Sequence, residues 1–77
     1  MGEKILIERL SELEHEQWKV WAAVLMKFET LSEDRIKRWE KLFCSYSELT
    51  EDEKGHSRVW ARKVLDILKE LKDEANN

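Results

Sequence analysis

Seventy-seven residues with one cysteine, two glycines and no proline make one domain at most, without an internal disulfide. The scarcity of turn residues disfavours an all-β fold, and 42% hydrophobic beside 40% charged residues excludes a disordered chain and fits amphipathic helices with charged outer faces. A net charge of −3 with no basic stripe argues against nucleic-acid binding, and no run approaches the ~18 apolar residues of a membrane span.

The first helix is expected over residues 3–28. At 100° per residue, Leu6, Leu10, Leu13, Trp18, Trp21 and Phe28 share an arc about 160° wide with Val20, Val24 and Leu25. Glu8, Glu12, Glu16 and Lys19 lie opposite. Such a helix is about 40 Å long. Ser32 reads as the N-cap of a second helix over 33–43, with Glu33 and Asp34 where the helix dipole favours anions. Ile36, Trp39, Leu42 and Phe43 are its apolar positions. Cys44 to Leu49 is an irregular connection. Thr50 and Glu53 fit a capping box that opens a third helix over 51–74. Its stripe is Val64, Leu68 and Leu71, joined by Trp60, Ala61, Leu65 and Ile67. Gly55, in its first turns, costs about 1 kcal/mol relative to Ala, and close packing is the reading for it. Asn76 and Asn77 read as a frayed end.

The pattern predicts an all-α fold, a single three-helix domain over residues 1–77. Helices 1 and 3 should pack antiparallel, with the short helix 2 on their Trp-rich end. The distal end, with Ile5, Leu6 and Leu10, needs cover from helix 3 or from a second subunit, and a homodimer is the expectation. Met1 to Lys4 precedes no apolar signal core, and the lone Cys44 fits a reducing compartment, so the expected location is the cytoplasm.

Four tryptophans serve either as core filling or as a stacking wall for a planar or cationic ligand. Glu14 and Gln17 project into the apolar arc of helix 1, and a buried carboxylate needs a partner. Arg58 and Arg62, four apart on helix 3, are the candidates. Either a Glu14–Arg58 ion pair fixes helix register, or an arginine is available to an anionic ligand. His15 sits at the edge of the arc beside Trp18. Glu12-Leu13-Glu14-His15 and Glu53-Lys54-Gly55-His56 match the Glu-x-x-His spacing of carboxylate-bridged metal sites, but with 13 glutamates chance supplies the pattern, and Glu12 faces away from the core. Cys44 follows a helix rather than opening one, so no helix N-terminus activates its thiol. No glycine-rich phosphate loop is present. The expectation is no enzyme activity, no metal and no cofactor.

Leu13-Glu14-His15-Glu16-Gln17-Trp18, followed by Tyr46-Ser47-Glu48-Leu49-Thr50-Glu51-Asp52-Glu53-Lys54 and then Arg58 and Ala61, resembles the ryanodine receptor repeat domain, particularly its short prokaryotic and phage relatives. The likeness covers roughly Leu10 to Leu71. The chain departs from the family in its short Trp39-bearing helix, in lacking a proline before Tyr46, and in having Ser57 before Arg58. The resemblance implies a small binding module, of the kind that phages also encode, taking an anionic or nucleotide-derived ligand. His15, Trp18, Tyr46, Arg58 and Arg62 are the implied ligand-binding residues. The alternative is a protein-interaction or homodimerisation module without a small ligand.

Overall fold

A computed structural model describes residues 2–75 of the chain. Its elements are α1 (Gly2–Phe28), α2 (Glu33–Glu40), a 3₁₀ turn (Tyr46–Glu48) and α3 (Glu51–Ala75). Among the described residues there is no strand, and the fold is all-α. The expected frayed end at Asn76 and Asn77 lies outside them. No helix of the described residues is long and apolar enough to cross a membrane.

The helix starts follow from local chemistry. Ser32 Oγ accepts the Arg35 backbone N–H at 3.2 Å and caps α2. Both halves of the capping box at α3 form: the Glu53 N–H donates to Thr50 Oγ1 at 3.2 Å, and the Thr50 N–H to Glu53 Oε1 at 2.8 Å. The end of α2 comes earlier than 43. After Glu40 the chain tightens into i→i+3 bonds, Leu42 N–H to the Trp39 carbonyl and Phe43 N–H to the Glu40 carbonyl. That tighter turn carries Phe43 back onto Trp18, with ring centroids 5.6 Å apart.

α1 and α3 run antiparallel. Lys69 Nζ meets Glu3 at 3.3 Å near one end, and Arg58 Nε meets Glu8 at 2.7 Å nearer the other. The seam between them is built from small and polar residues. Ser11, His15 and Ala22 of α1 and Ser57, Ala61 and Leu65 of α3 are the buried side chains of the two helices among the described residues. Small side chains let two helix axes approach closely. The seam is not centred on the apolar arc of α1. On a 100° helical wheel its centre lies about 120° from the centre of that arc, and on α3 the buried positions are offset in the same way by about 80° from the exposed Trp60, Val64, Ile67, Leu68 and Leu71. Helix 1 therefore contributes one edge of its apolar arc to the contact, and Leu13, Val20, Trp21, Val24 and Phe28 stay exposed. The same rotation brings Glu8, expected on the outer face, to the edge of the interface.

The result is elongated. The Cα radius of gyration is 15.5 Å, against about 11.5 Å for a compact domain of this length. Gly55 is not explained by close packing. A Cβ built on it would meet nothing within 4 Å, and its backbone is not in a positive-φ conformation.

Candidate functional site

Three elements meet at Glu8. Tyr46 on the 3₁₀ turn donates its hydroxyl to Glu8 Oε2 at 2.7 Å. Arg58 on α3 donates Nε–H to Glu8 Oε1 at 2.7 Å and Nη1–H to Glu51 Oε2 at 2.8 Å. Both oxygens of Glu8 are thus engaged. The charge-assisted bond from Arg58, followed by that from Tyr46, holds the Glu8 carboxyl below its ordinary pKa. Arg58 lowers Glu51 in the same way. Burial, and then the neighbouring Glu8 carboxylate, push the Tyr46 hydroxyl upward. Lys54 Nζ completes the surroundings, 5.4 Å from the centre of the Tyr46 ring. This cluster is a clamp that joins the connection to both long helices.

A second anchor lies about two turns along α1. The buried His15 donates Nε2–H to the Cys44 carbonyl at 2.9 Å. Its ring stacks on Trp18 with centroids 6.0 Å apart and planes 10° from parallel. Trp18 in turn meets Trp39 edge-on at 5.6 Å, and Trp39 meets Trp21 at 5.7 Å. Three of the four indoles therefore pack together and fix α2 over the end of α1. Cys44 contributes its backbone carbonyl here, and its thiol is half-buried.

Two concavities flank this aromatic cluster. One cleft of about 510 Å³ lies between α2 and α3, with Trp18, Trp39 and Trp60 among its walls and Arg38, Lys41 and His56 among its polar lining. The other is a groove of about 750 Å³ along α1 and α3. Its walls are mostly apolar, with Leu10, Leu13 and Trp21 on one side and Trp60, Val64 and Ile67 on the other. Among the described residues, no group of three or more His, Cys, Asp or Glu is placed to hold a metal ion.

The five residues singled out from the sequence are not brought together. His15 and Trp18 line the smaller cleft, whereas Tyr46, Arg58 and Arg62 line neither concavity. Tyr46 and Arg58 converge on Glu8 instead, and Arg62 is exposed. The expected Glu14–Arg58 pair is replaced by Glu8–Arg58 and Glu51–Arg58. The rotated seam explains this: Glu14 points towards the groove side of α1, and Glu8 towards the clamp. Glu8 itself was not legible from the apolar arc, but its 3.5-residue spacing with Ser11, His15 and Ala22 marks a seam of heptad type.

No family model, curated protein or solved structure matches the chain.

Proposed function

We propose that this protein is a non-enzymatic interaction module whose α1–α3 groove face docks another protein surface. The observation that carries the reading is the continuous apolar wall on one side of both long helices. Leu13 is 63% exposed, Trp60 55% and Ile67 56%. Soluble monomers rarely leave such residues contiguous, and large patches of this kind mark protein contacts. The polar residues that a ligand site would employ, Tyr46 and Arg58, are engaged in holding the fold. The likeness of Leu13–Trp18 and Tyr46–Lys54 to the ryanodine receptor repeat also implies a binding module rather than a catalyst. A lone half-buried cysteine fits a cytoplasmic setting.

A second reading rests on the smaller cleft, where indoles and the cations Arg38 and Lys41 offer stacking and charge to a planar anion. Native mass spectrometry of protein purified without additives separates the two. The expected spectrum contains the chain in protein assemblies, with no small-molecule adduct lost on denaturation. A stoichiometric adduct of small-molecule mass would move the function to the cleft. Placing glutamate at both Val64 and Ile67 should remove the assemblies while far-UV circular dichroism keeps its helical signal. Assemblies that survive this double change would refute the groove as the docking face.

A further inference from the structure

We infer that the occupant of the groove face is a second copy of this chain, forming a four-helix assembly in which each α1 lies over the other copy's α3. This inference rests on the interaction reading above and adds the identity of the partner. The first argument is area. The chain exposes 6338 Å². A folded monomer of 9.3 kDa exposes about 5,000 Å² by the usual scaling with mass. The excess of about 1,300 Å² per chain corresponds to about 2,600 Å² over two copies, which lies in the range of obligate homodimers. A transient contact of ordinary size would leave much of the excess uncovered.

The second argument is geometry. The exposed stripes of α1 and α3 are both displaced from the seam, and because the helices are antiparallel these displacements fall on the same side of the pair. One face of a helical pair is thus left as a complete half of a four-helix bundle, the arrangement in which helices bury a broad apolar stripe. The third argument is charge. Within the mostly apolar groove, Glu14 stands on the α1 wall and Lys63 on the α3 wall. Lys63 Nζ is 4.4 Å from the centre of the Trp60 ring. A surface with an acid on one wall and a base on the other is self-complementary under a two-fold axis that lays α1 over α3, because each contact is then made twice. A partner with uniform charge would oppose one of the two.

Sedimentation equilibrium on the intact chain tests this, with helicity followed by circular dichroism. The wild type should have twice the chain mass at low-micromolar concentration. Leu13→Glu introduces a charge at a position that is exposed in the single chain, so folding is retained while dimerisation should weaken by about a hundredfold or more. Glu14→Lys and Lys63→Glu should each weaken self-association by about tenfold. Mixed in equal amounts, these two variants should regain it as a heterodimer, because the reversed charges complement each other across the two-fold axis. A dimer indifferent to Leu13→Glu, or variants that fail to complement, overturns the proposed arrangement.

A wild-type monomer at all concentrations overturns the second-copy inference, and dye binding then distinguishes its failure from that of the interaction reading. If the monomer binds anilinonaphthalene sulfonate and Leu13→Glu removes the binding, the face is open and suited to a different protein. If neither protein binds the dye, the face is closed within the chain and both readings fall.

Discussion

Tyr46→Phe removes one oxygen and leaves the ring in place, so its cost isolates the bond to Glu8. The hydroxyl donates to an ionised carboxylate at 2.7 Å, and bonds to charged groups contribute about 1.5–3 kcal/mol. The Glu8 side chain is 37% exposed, so water replaces part of the lost donor. The expected cost is therefore about 1–1.5 kcal/mol. With 77 residues, the unfolding entropy near the midpoint is about 0.16 kcal/mol per kelvin, and the cost corresponds to a drop in Tm of about 6–9 °C. Circular dichroism melts at matched protein concentration measure it, since any self-association would itself move the midpoint. The loss should shrink to about a third when Glu8→Gln is already present, because a neutral amide is a weaker acceptor. A Tyr46→Phe protein melting within a degree of wild type would refute the clamp as a source of stability.

Three further outcomes are expected. Gly55→Ala should stabilise the protein by about 0.5–1 kcal/mol, seen as a higher urea midpoint, since the site is helical and a Cβ there meets open space. His15→Ala should cost about 2–4 kcal/mol in the same assay, through the lost bond to the Cys44 carbonyl and a cavity beside Trp18. The pH dependence follows from Glu8 and Glu51, whose carboxyls are lowered from an ordinary value of 4.5. The folded state binds fewer protons there, so their contribution is present above that value and is lost as pH falls through the lowered pKa values. Arg58→Gln should flatten this acid limb of urea midpoint against pH, and an unchanged limb would assign it to other carboxylates. Tyr46 acts at the opposite extreme: its raised pKa adds stability below its ordinary value of 10.0 and loses it as pH rises through the folded value.

The helices and their starts were legible because they depend on neighbours in sequence. Ser32 and the Thr50–Glu53 box act over three residues, and the lengths of α1 and α3 follow from sustained apolar periodicity. The orientation of the helices about their axes was not legible from the same pattern. Hydrophobicity marks the centre of a stripe, whereas the observed seam follows Ser11, Ala22, Ser57 and Ala61, whose small size permits close approach. That difference moved Arg58 from Glu14 to Glu8. The site residues fared unevenly for the same reason. His15 and Trp18 sit near the boundary between seam and stripe and were placed together by one helical turn. Tyr46 lies on a 3₁₀ turn whose direction depends on contacts made far along the chain.

The two anchors also divide the molecule along its length. His15, the indole cluster and the Glu8 clamp secure the part of the helical pair nearest the connection. Beyond them, the arm formed by the start of α1 and the end of α3 carries an exposed Lys69–Glu3 pair, a contact of little strength, and among the described residues Leu65 is the last buried side chain on α3. Backbone amides in that arm can therefore exchange with solvent through openings smaller than global unfolding, while those around His15 wait for the whole structure to open. In an isolated chain the arm unzips first, and a layer laid across both ends would make its protection nearly uniform.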